Sequence, residues 1–103
     1  MNDTENFQKK IEALKQAIRL NPNDAKAHNN LGLAYAGLDR YPEAVDAYKQ
    51  AIRIKPDDAD VHYDLGLAYL SCGNKGSALN QHKILKDLNS DLTNELFNLI
   101  YEK

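Results

Sequence analysis

The side chains in this chain whose types ligate metals or attack substrates are His28, His62, His82 and Cys72, with carboxylates scattered between them. His28 and His62 stand 34 residues apart, in equivalent slots of what read as adjacent, parallel helices. Packed helix axes lie about 8–10 Å apart, too far for two such imidazoles to share one ion without bending inward. No Cys or carboxylate joins either histidine at ligand spacing, so both are read as filling partly buried packing slots, and His82 is read the same way. Cys72 has no CxxC partner and falls where a helix is expected to end, where the dipole disfavours a thiolate. Gly32, Gly37, Gly66, Gly73 and Gly76 spell neither GxGxxG nor GxxxxGK[ST]. Ser, His and Asp are all present, yet nothing places them together. The expectation is a chain with no catalytic residues, no metal and no cofactor.

Composition narrows the remaining classes. The chain has 103 residues, the size of one domain, and 43% of them are hydrophobic, enough to build a core. Leu and Ala are the commonest residues, Lys is frequent and β-branched residues are scarce, which favours helix. A formal charge of −2 and a pI near 5.9 argue against nucleic-acid binding. Lys49, Arg53 and Lys55 gather late in one expected helix, echoing Lys15 and Arg19, where the dipole already favours cations. A single cysteine fits a reducing compartment. No stretch approaches the roughly 18 apolar residues of a membrane span, and the first ten residues carry no apolar leader core. A cytoplasmic protein without membrane contact is expected.

What the chain does contain is a repeat. Shifted by 34, ALKQAIRLNPND (Ala13 to Asp24) falls on AYKQAIRIKPDD (Ala47 to Asp58), with eight of 12 pairs identical. At the same offset AKAHNNLGLAY (Ala25 to Tyr35) falls on ADVHYDLGLAY (Ala59 to Tyr69), with seven of 11 identical. Chance would supply about one match per window. A period of this length marks a stacked helical array.

Helix starts and stops follow the period. Phe7, Ile11, Leu14 and Ile18 form an apolar stripe, and Pro22 stops that helix while Asp24 is placed to cap the next. Leu31, Ala34, Tyr35 and Leu38 give the next helix its buried side, and Gly32 allows close backbone approach. Pro42 suits the first turn of a helix ending near Ile54, Pro56 closes it, and Asp58 is expected to cap the following one. Gly73-Asn74 signals another helix end, a helix follows to about Leu88, and Leu92, Leu96, Leu99 and Ile100 stripe the last.

The content of the repeat resembles the tetratricopeptide repeat (TPR) family, whose pattern is W-x2-L-G-x2-Y, then A-x3-F, then P. The first full unit supplies His28, Leu31, Gly32, Tyr35, Ala44, Tyr48, Ala51 and Pro56. The second supplies His62, Leu65, Gly66, Tyr69 and Ala78, then departs with His82, Leu85 and Ser90. Histidine stands where the family prefers tryptophan. The RNA-reading pentatricopeptide repeat has a similar period, but the 34-residue unit, the L-G-x2-Y signature and the acidic pI stand against it. The expected fold is all-α: an α-solenoid of stacked antiparallel helix pairs, a TPR-like superhelix of about six helices. One domain spans 1–103, with the second helix of a partial repeat at 4–20, full repeats at 25–58 and 59–92, and a C-terminal capping helix at 91–102.

The resemblance implies a protein-interaction module that holds a peptide or partner helix in a concave groove. Carried over slot by slot, the groove is lined by Lys26, Asn29, Asn30 and Leu33 from one repeat and by Asp60, Tyr63, Asp64 and Leu67 from the next, with Phe97, Asn98 and Tyr101 as candidates from the last helix. Leu33 and Leu67 lie off the main buried stripe, and an apolar floor with a polar rim suits a peptide. The same leucines would also suit packing against the final helix or another subunit. Asp60 and Asp64 put negative charge where the carboxylate-holding members of the family need positive, so a partner with basic or amide character is expected. The alternative is self-association into homo-oligomers through an open helical end, since the first helix has no partner before it.

Overall fold

The computed structural model describes residues 3–101. Six helices follow one another: α1 (Asp3–Leu20), α2 (Ala25–Gly37), α3 (Tyr41–Ile54), α4 (Ala59–Ser71), α5 (Lys75–Asp87) and α6 (Leu92–Tyr101), with no strand among the described residues. The expected end of the last helix at residue 102 lies outside them.

Local chemistry sets each boundary. Pro22 disfavours helical geometry at Asn21, so α1 stops at Leu20. The Asp24 carboxylate then accepts from the Ala27 amide at 3.2 Å and opens α2. The α2–α3 turn passes through Asp39 at φ 59°, and the α4–α5 turn passes through Gly73 at φ 77°, 34 residues later. Both close with the same bond, Arg40 N–H to the Tyr35 carbonyl at 2.9 Å and Asn74 N–H to the Tyr69 carbonyl at 2.8 Å. Asn74 then caps α5 through the Ser77 amide at 3.1 Å. Asp58 departs from expectation: it stands at the N-cap of α4, but its side chain makes no capping bond. Asp60 in the first turn of α4 supplies the negative charge that α2, with no acidic residue in its first turn, must take from its cap.

Consecutive helices pack antiparallel, and α4 also packs directly on both α2 and α6, whereas the backbones of α1, α3 and α5 do not approach one another closely. The even helices therefore form a closed inner layer and the odd helices a splayed outer one. That asymmetry curves the stack into a body of 35 × 29 × 19 Å with a concave inner face.

Two core clusters run through the stack. The first gathers Ile11, Leu31, Tyr35, Val45, Tyr48 and Leu65, and the second is built on Ala78, Leu85, Leu96 and Ile100. The α1 stripe is turned inward against the first, with Ile11 only 5% exposed. Gly32 lies under the Tyr48 ring, where a Cβ would come within 2.5 Å of it. In the second repeat Gly66 meets the Leu96 side chain of α6 instead. His82, in the slot equivalent to Tyr48, turns aside and stacks on Phe97 at 5.4 Å between ring centroids.

The buried histidines are polar struts. His28 donates from Nε2 to the Pro22 carbonyl at 2.9 Å, and His62 does the same to Pro56 at 2.6 Å. Each ties its helix to the proline turn six residues earlier, satisfying a carbonyl that the proline turn leaves outside the helix ladder. His62 also pairs through Nδ1 with the side-chain amide of buried Gln81 at 2.7 Å. This explains why histidine replaces an indole at these slots. The sequence carries the signal as a repeated Pro-x5-His, which a search for metal spacing passes over.

Candidate functional site

The inner layer holds two recesses along one face. The first, about 610 Å³, lies between the 21–25 turn, the start of α2, the end of α3 and the start of α4, and takes in Lys26 and Asn29. The second, about 480 Å³, runs between α2, α4 and α6 over Leu33, Ala36, Leu67, Leu70 and Leu99, with Tyr48 and Asp64 set in its floor. Of the eight residues expected from the sequence, Leu33, Asp64 and Leu67 converge in the second recess and Lys26 and Asn29 in the first. Asn30 and Asp60 are exposed on the same two helices but line neither.

Tyr63 is engaged within the chain. It packs in the second core cluster, and its hydroxyl faces the Glu95 carboxylate of α6. Burial first, and then that carboxylate, raise the Tyr63 hydroxyl above its ordinary range. The last helix contributes differently from expectation. Leu92, Leu96 and Ile100 anchor it in the core, so the helical period turns Leu99 to the second recess. Phe97 and Tyr101 instead point toward α5, stacking on each other at 4.8 Å, with the Lys75 ammonium 4.7 Å over the Tyr101 ring. They line neither recess.

The polar atoms of the face are what give it chemical character. Asp64 is half-buried, and no described residue offers it a hydrogen bond. Loss of water raises its pKa from 3.8 to about 6, and Asp60 and Asp58, of like charge, push the same way. Tyr48 is raised as well, by burial and by the Asp64 charge. In the other recess the Asn29 Oδ1 atom is shut off from solvent with no partner among the described residues. Asn29 Oδ1 is thus unsatisfied inside the protein, whereas the Asp64 carboxylate is still partly open to water, so of the two only Asp64 can meet a donor that arrives from outside. Tyr48 and Leu99 also line the second recess and are not among the residues expected from the sequence. Tyr48 reads as core because its ring fills the Gly32 notch, and only its hydroxyl edge reaches the recess.

The outer face repeats too. A furrow over Lys15, Ile18, Arg19 and Tyr35 returns 34 residues later over Lys49, Ile52, Arg53 and Tyr69. Among the described residues no group of three or more His, Cys, Asp or Glu could hold a metal ion, and no helix is long and apolar enough to cross a membrane.

Comparison with known proteins places this geometry. A family model described as TPR repeat matches residues 5–39 and 38–73. No curated protein matches the chain. Fifty chains of solved structures do. One is the TPR2B domain of yeast Sti1, solved as a pHsp70 complex, which shares 22% identity with a TM-score of 0.81 over 94% of this chain and 82% of that one. At that identity the likeness speaks for the fold.

Proposed function

We propose, for a chain that belongs to the tetratricopeptide repeat family, that the inner face of α2, α4 and α6 is a groove for an extended peptide or a partner helix. On this reading the chain is an adaptor whose full units are 25–58 and 59–92, and it works by binding rather than by chemistry. The observation that carries the reading is the pairing of exposed leucines with a half-buried carboxylate on one concave surface. Leu33 is 45% exposed and Leu99 42%, and the Asp64 carboxylate lines the same recess. Apolar area gives a peptide affinity, and acceptors fix which peptide by demanding N–H donors from it. Lys26, Asn30 and Asp60 form a polar rim.

Selection from a displayed random-peptide library tests this. Enriched peptides should be rich in apolar residues with basic or amide side chains. They should lose at least about tenfold in affinity for Leu33→Asp, which buries a charge under the ligand, and little for Lys49→Glu on the outer face. Equal binding by wild type and Leu33→Asp would contradict the reading.

Self-association is the second reading, and one observation favours it: Phe97 and Tyr101, 45% and 51% exposed, leave an aromatic edge on the last helix. A mass that rises with concentration and is restored to the monomer's by Phe97→Ser would support it.

A further inference from the structure

An apolar groove takes many peptides, and what distinguishes this one is a charge in its floor. Asp64 sits among Leu33, Leu67 and Leu99, half withdrawn from water, with no hydrogen bond from a described residue. The charges that act on it are those of Asp58 and Asp60, both of its own sign. The α3 element presents the Tyr48 hydroxyl, α2 presents Leu33 and Ala36, and α6 presents Leu99, with Glu95 turned to Tyr63. None of these neutralises the carboxylate. A desolvated anion with no cation of its own chain beside it is complementary to one brought by a partner.

We infer that the groove reads one lysine or arginine of a bound peptide, whose aliphatic stem lies across Leu33, Leu67 and Leu99 while its charged head rests on the Asp64 carboxylate beside the Tyr48 hydroxyl. The geometry suits such a side chain because its two halves want different surroundings: the stem buries on leucine and the head keeps its charge only against an anion. A second cation gains less, since Asp60 is exposed and solvent screens it. The inference rests on the groove reading above and narrows it to a cationic residue flanked by apolar ones. Because the head binds the ionised carboxylate, binding takes up no proton at neutral pH and weakens as Asp64 protonates.

Methyl-resolved NMR titration separates the inference from its premise. The probes are a capped Leu-Lys-Leu tripeptide amide and its twin with norleucine in place of lysine, which keeps the stem and removes the charge. The lysine probe should shift the Leu33, Leu67 and Leu99 methyls and bind about tenfold more tightly than the norleucine probe at pH 7.5. That advantage should vanish in Asp64→Asn, fall only about twofold in Asp60→Asn, and shrink in wild type at pH 5. If the norleucine probe binds the same methyls as tightly as the lysine probe in wild type, the groove reading stands and the inference falls. If neither probe moves those methyls up to millimolar concentration, both fall together.

Discussion

Asp64 is the residue at which folding and the proposed binding pull in opposite directions. Its carboxyl has a higher pKa in the folded chain, about 6, than its ordinary 3.8, so the protonated form is the one the fold prefers. The contribution is fully present below the ordinary value and is lost as pH rises through the folded value. Ionised Asp64 therefore destabilises the chain at neutral pH, by about 1 kcal/mol once screening at a half-open site is allowed for. Asp64→Asn should raise the unfolding midpoint at pH 7.5 and leave it unchanged near pH 3.5. A gain of the same size at both pH values would show that the cause is packing. The histidine struts predict a contrast of another kind. His62 is 3% exposed and makes two hydrogen bonds, one to buried Gln81, whereas His28 makes one. His62→Ala leaves more buried groups unpaired, so it should cost about 3 kcal/mol in urea unfolding against about 1–2 kcal/mol for His28→Ala. Equal losses would mean that ring volume, and not the struts, decides.

At the scale of the element, helix contacts are set by what fills each glycine notch. Tyr48 covers Gly32 from within the same repeat and is almost wholly buried, so its ring has nowhere to move. Gly32→Ala should cost about 2 kcal/mol despite alanine's better helix propensity. Gly76, in the first turn of α5, has only the Asn74 side chain within reach, at 3.9 Å, and Gly76→Ala should instead stabilise by about 0.5 kcal/mol. Thermal unfolding of the pair checks both signs, and a stabilising Gly32→Ala would contradict the notch. Much of this was legible in the sequence. Helix boundaries follow from Pro22, Pro42, Pro56 and Gly73, whose backbone restrictions are local. The second repeat was harder because its pattern breaks at His82, and the replacement partner for Gly66 is Leu96, thirty residues downstream on another helix. No period announces that substitution. The same limit applies to the site: Leu33 and Leu67 stand out by their 34-residue spacing, while Leu99 follows no such spacing and Tyr63 turns out to be engaged by α6.

For the whole molecule, curvature follows from three inner helices in contact and three outer ones apart, and it makes two unlike surfaces from one repeat. The outer surface is a pair of furrows related by the period, the first lined by Glu43 and Asp46 as well as by Lys15 and Arg19. The inner surface holds the Asn29 recess and the recess that reaches Leu99, and carries the Asp64 carboxylate. Only the inner one combines exposed leucine with a half-buried carboxylate, which is why it is assigned the partner. The most direct test maps a library-selected peptide onto the chain by methyl chemical-shift perturbation. The largest shifts should fall on Leu33, Leu67 and Leu99, with the outer methyls of Ile18, Ile52 and Ile84 silent. Shifts confined to those three isoleucines would put the partner on the outer face and contradict the assignment.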